Sequence, residues 1–145
     1  MASDWIGWTL GNIVAPLLAP TALVGVACFF SHANYKRLLS PFLTVKDGQL
    51  SWVALTFSIA ALYEREAALR KFHHEATGIA TTIAISALIL ACITPLFGMM
   101  FPTDEPSEQL RGVAWMTHYR PFTGSAMAAL MATFALSGVH FGWLY

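Results

Sequence analysis

Charge is what this chain has least of: eight Lys and Arg and eight Asp and Glu among 145 residues, 11% in all and balanced to zero. So few ionised side chains cannot solvate a globular surface of this length. With a zero balance, nothing suggests nucleic acid or an electrostatically steered partner. Lys and Arg are confined to Lys36, Arg37, Lys46, Arg65, Arg70, Lys71, Arg111 and Arg120, outside the apolar runs at 5–30, 77–101 and 121–145. Catalytic templates are missing too: no GxSxG, HExxH, CxxC or glycine-rich phosphate loop is present, so an enzyme is not expected. The two cysteines, Cys28 and Cys92, lie within apolar runs and read as small apolar fillers rather than a disulfide. A basic leader region is also wanting, since the first charged residue is Asp4. The N-terminal run is therefore expected to remain as a span and not to be removed as a signal peptide.

What the chain does have is apolar length. Its hydrophobic fraction is 57% and its mean hydropathy +0.59. The run 121–145 would rise about 37 Å as one helix, enough to cross a ~30 Å hydrocarbon core with some tilt. Trp143 and Tyr145 lie at its end, where a membrane interface favours aromatic rings. The expected fold is an all-α, polytopic transmembrane helical bundle, a single domain over 1–145. Four spans are expected, at 5–30, 50–69, 77–101 and 121–145, with polar loops at 31–49 and 102–120.

The second span is the ambiguous one. Its apolar part, 50–63, gives only about 21 Å of helix, and continuing it brings Glu64, Arg65 and Glu66 towards the membrane. A crossing helix that continues as a polar stalk through Lys71 is expected, with Glu66 and Arg70 paired at i,i+4. The alternative is three spans and a re-entrant 50–63 segment, which would need protein or water around its exposed backbone. With four spans both termini share one side. The other side carries five Lys and Arg against three, which puts the termini outside by a narrow margin.

Small residues mark helix-packing faces. Gly7, Gly11 and Ala15 recur every fourth position in the first run, ahead of Pro16 and Pro20, which are expected to bend or divide the helix. Asn12, a polar group among apolar ones, is expected to bond across to another helix or to sit at the interface. In the last run Gly124, Ala128 and Ala132 oppose a bulky face of Met127, Leu130, Met131 and Phe134, and Gly138 and Gly142 add a GxxxG pair. Within the 102–120 loop, Trp115 and Tyr119 are expected to anchor an apolar stretch along the interface.

Candidate chemistry is thin. Glu64 is the candidate intramembrane carboxylate, although flanking Arg65 and Glu66 suit headgroup level. In a four-span arrangement His140 comes to the side of His73 and His74, and these three are the weak candidates for a haem or metal ligand. No cofactor or metal is expected. Ser137 and His140 share a helix face but lack a third orienting group, and Ser137 is expected to bond the Thr133 carbonyl. The hydroxyl rows Ser125, Thr133, Ser137 and Gly78, Thr82, Ser86 are of modest polarity and suit packing as well as hydration.

The favoured function is a small, non-enzymatic membrane subunit with a structural, regulatory or protective (immunity-like) role, packing through small-residue faces. Its expected partners are the lipid bilayer and either itself or another membrane protein, with no nucleic acid. The expected location is a bacterial inner membrane. The alternative is a self-assembling, holin-like permeability factor, and a haem- or metal-binding anchor subunit stands below both.

Overall fold

The computed structural model describes residues 2–30, 42, 45–72, 78–104 and 110–144, and every regular element among them is helical. They fall into two compact units divided between Lys46 and Asp47.

The first unit holds α1 (Ala2–Thr9) and α2 (Ala15–Phe30), joined by a π-helical turn at Leu10–Val14. Pro16 explains the turn. In a regular helix its ring would meet the carbonyl of Asn12, and it has no N–H to offer. The backbone widens just ahead of it, and the Ala15 N–H donates to the Leu10 carbonyl instead. Asn12 does not reach across to a neighbour: its Nδ2 donates to the Trp8 carbonyl at 3.0 Å. Widening the ladder disturbs i→i−4 pairing at this level, and a carboxamide in reach of a carbonyl is the local remedy.

The second unit holds α3 (Ser51–Phe72), α4 (Ile79–Met100), the short α5 (Val113–His118) and α6 (Arg120–His140). Helices α3, α4 and α6 pack pairwise against one another. Three contacts fix their directions. Ser51 at the start of α3 shares a hydrogen bond with Thr94 near the end of α4. Gly124 near the start of α6 lies over the same Thr94. Glu64 of α3 meets His140 at the end of α6. Thus α3 and α6 run the same way, and α4 runs against both.

Side-chain size is sorted inside out. The buried positions of α4 are Ala80, Ala84, Ala87, Ala91, Thr94 and Gly98, alternating four and three residues apart. That alternation keeps a seam of small side chains facing its neighbours. Helix α6 buries Ser125, Ala128, Ala129, Ala132, Ala135, Leu136, Gly138 and Val139, and α3 buries Val53, Ala54, Phe57, Ser58 and Ala61. The bulky residues face out: Ile59, Tyr63, Ile89, Leu96, Leu130 and Phe134 are all exposed, Leu130 to 71%. Water would penalise such a surface heavily, whereas hydrocarbon would not.

Three helical segments are long and apolar enough to cross a membrane: Trp5–Phe30, Ile79–Met100 and Arg120–His140. Helix α3 is not among them, because Glu64, Arg65, Glu66 and Arg70 occupy its second half. It runs as one helix of 22 residues from Ser51 to Phe72, with no reversal in the 51–63 stretch.

Two boundaries differ from expectation. The 102–120 segment is not all loop, since α5 forms at Val113–His118. The last helix stops at His140, short of the 25-residue run, because Gly142 takes a φ of 73°. The Trp143 N–H then donates to the Gly138 carbonyl at 2.8 Å and the Gly142 N–H to Val139 at 3.2 Å. This pair of bonds closes the helix with a left-handed residue, a conformation open to glycine at little cost. The chain folds back so that the Leu144 side chain occupies the space beside Gly138. Gly142 is therefore the helix stop, and Gly138 is the seat of the Leu144 side chain.

Candidate functional site

Polar side chains gather at the two ends of the α3–α4–α6 unit. At one end, Glu64 Oε2 accepts from His140 Nδ1 at 3.2 Å, with the two side chains 35% and 34% exposed. Carboxylate oxygen can only accept from an imidazole N–H, so Nδ1 carries the proton in this pair. His140 also stands edge-on to Phe141, with ring centroids 4.9 Å apart. One turn further along α3, Arg70 Nε donates to Glu66 Oε1 at 3.0 Å, the expected i,i+4 pair. Glu64 is thus half exposed and paired, at the level where α6 ends. The sequence offered Glu64 and His140 as separate candidates, and the fold brings them together.

His73 and His74, the other two candidate ligands, lie outside the described residues. Among the described residues no group of three or more His, Cys, Asp or Glu side chains could hold a metal ion.

The opposite end is built on Thr94. Pro95 follows it within α4, so the Ala91 carbonyl loses its usual partner. Thr94 Oγ1 donates to the Leu90 carbonyl at 2.9 Å and accepts from the Ser51 hydroxyl. The turn Asp47–Gly48 settles on this interruption. Gly48 has a φ of 92°, and the Asp47 carbonyl lies over Gly98 so closely that a Cβ there would strike it. Asp47 Oδ1 accepts the Thr103 N–H at 3.2 Å, tying the turn to the segment leaving α4. Gly124 completes the approach, since a Cβ on it would stand 2.6 Å from Thr94 Cγ2. The candidate packing residues Gly124, Ala128 and Ala132 lie on the inward side of α6, the last two fully buried. Gly7, Gly11 and Ala15 of the first unit are exposed, and a Cβ on either glycine meets nothing within 4 Å.

Beside this junction a cavity of about 610 Å³ opens between the end of α4 and the start of α6. Its walls are Thr94, Phe97 and Phe101 from α4 and its exit, Pro102 to Asp104 beyond, and His118, Arg120 and Pro121 from α5 and α6. His118 Nε2 donates to the Asp104 carbonyl at 2.9 Å, closing the rim. Trp115 stacks obliquely on Tyr119 and edge-on against Phe122, which fixes α5 on the start of α6. Sequence reasoning missed this site. Its one signal was the polar 102–120 segment between two apolar runs. No protein-family model, no curated protein and no solved structure matches this chain.

Proposed function

We propose that this chain is a multi-pass protein of a bacterial inner membrane, with α3 crossing beside α4 and α6 as a fourth span. In this reading it acts as a non-enzymatic structural, regulatory or protective subunit. The observation that carries the proposal is the sorting of side chains in the second unit, small residues inward and bulky apolar ones outward. Helices that pack on alanine and glycine seams gain dispersion contacts and lose nothing to lipid, which solvates their outer faces. The hydroxyl groups fit the same reading. Thr82, Ser125 and Thr133 bond carbonyls of their own helices, and Ser51 pairs with Thr94, so these four sites serve packing and not a water-lined face.

Register supports α3 as a span. Glu64 stands level with His140, so the apolar stretch before it runs beside α6 and the charged stalk begins where α6 ends. The exposed small face of Gly7, Gly11 and Ala15 suits close approach of another membrane helix, from a second copy or a different protein.

Membrane potential in bacteria expressing the chain alone, followed with a voltage-sensitive dye, tests the proposal. An intact potential at good expression is the expected result. Rapid collapse that a packing-face variant abolishes at equal expression would replace the subunit reading with a permeability factor.

A further inference from the structure

The cavity at the α4–α6 junction carries charge of both signs. Asp104 and Arg120 both line it, and among the described residues neither side chain has an ion-pair partner. We propose that this cavity binds the headgroup of an amine-bearing phospholipid, with the phosphate on Arg120 and the ammonium on Asp104. The inference rests on the membrane reading above.

Four features support it. At about 610 Å³ the cavity falls within the range of roughly 300–1,000 Å³ common to small-ligand sites. The planar guanidinium of Arg120 matches phosphate oxygens through parallel N–H donors, while a carboxylate accepts from a primary ammonium. Helix α6 begins here with no side-chain cap on its first N–H groups, so its positive end reinforces the anion-binding side. Thr94, Thr103 and His118 add polar wall, and the rest is apolar, from Phe97, Phe101, Pro102 and Pro121, which suits the glycerol and first acyl carbons of a lipid rather than a fully soluble ion. A ligand of one sign would meet one matching and one opposing side chain, whereas a zwitterion with a donating ammonium meets both needs. The His118–Asp104 hydrogen bond holds the acidic rim in place without occupying the Asp104 carboxylate.

Native mass spectrometry of the full chain in mild detergent tests this, with phosphatidylethanolamine, phosphatidylcholine and phosphatidylglycerol added separately. The expected result is a phosphatidylethanolamine adduct retained about tenfold better than the other two, the value of one charge-assisted hydrogen bond. Arg120→Gln should remove that adduct, and Asp104→Asn should level phosphatidylethanolamine with phosphatidylcholine. Equal retention of all three lipids by the unaltered chain would overturn the proposal, whether or not the variants fold. Free phosphoethanolamine displacing the lipid at equimolar concentration would overturn the membrane source. Recovery of the chain in the soluble fraction without detergent would instead remove the membrane reading on which the inference stands.

Discussion

Gly98→Ala is the sharpest perturbation of the α3–α4–α6 unit, because two effects of opposite sign meet there. Alanine is favoured over glycine inside a helix by about 1 kcal/mol, so at an unobstructed helical glycine the exchange stabilises. At Gly98 the new Cβ would strike the Asp47 carbonyl, a backbone group that cannot swing aside as a side chain can. Overpacking of that kind costs about 1–3 kcal/mol. Retreat of the turn also loosens the Asp47–Thr103 and Ser51–Thr94 hydrogen bonds, each worth about 0.5–1.5 kcal/mol. The net is a loss of about 2 kcal/mol, a fall in Tm of roughly 5–10 °C. Thermal unfolding of the purified protein in detergent reads it, with Gly11→Ala as the control, since nothing lies within 4 Å of a Cβ there. The control should hold or gain stability while Gly98→Ala falls. Equal behaviour of the two variants would refute the close approach of the Asp47 turn to α4.

Gly124→Ala should also lower the Tm, because its Cβ meets Thr94 Cγ2. Adding Thr94→Ser, which removes that methyl and keeps the hydroxyl, should restore most of the loss. Gly142→Ala places a side chain at a φ of 73° and should cost about 1 kcal/mol, read as faster amide exchange over the last turn of α6. A double-mutant cycle of Glu64→Gln and His140→Ala should show a coupling of about 0.5 kcal/mol, as for a partly exposed hydrogen bond. Full additivity would mean that the contact contributes nothing to stability.

Much of the helical layout was legible because apolar runs and prolines act locally. Pro16 disturbs the first helix, Pro121 stands in the first turn of α6, and Met127, Leu130 and Phe134 face outward while Ala128 and Ala132 face inward. The spacing of Gly138 and Gly142 fits both a packing face and a helix end. A glycine followed by two bulky apolar residues at the close of a helical run is the cue for the second. The alanine seam of α4 was present as Ala80, Ala84, Ala87 and Ala91, hidden behind the β-branched residues that dominate the opposite face. The Glu64–His140 contact spans 76 residues. No local pattern encodes such a pairing, and it follows only once α3 and α6 lie side by side. The cavity is of the same kind, since Asp104 and His118, which meet at its rim, lie 14 residues apart in sequence.

Cysteine accessibility in native membranes tests the central claim most directly, in a background with Cys28 and Cys92 replaced. Single cysteines at Ile59, Ile89 and Leu130, outward on α3, α4 and α6, and at Ser125 and Ala132, inward on α6, would be exposed to a membrane-impermeant maleimide. All five should stay unlabelled until the protein is denatured, while cysteines at Glu66 and Arg70 react at once in membranes opened to reagent on both sides. Ready labelling at Ile59 would take α3 out of the bilayer, and ready labelling at Ser125 and Ala132 would put water where the account places a dry seam.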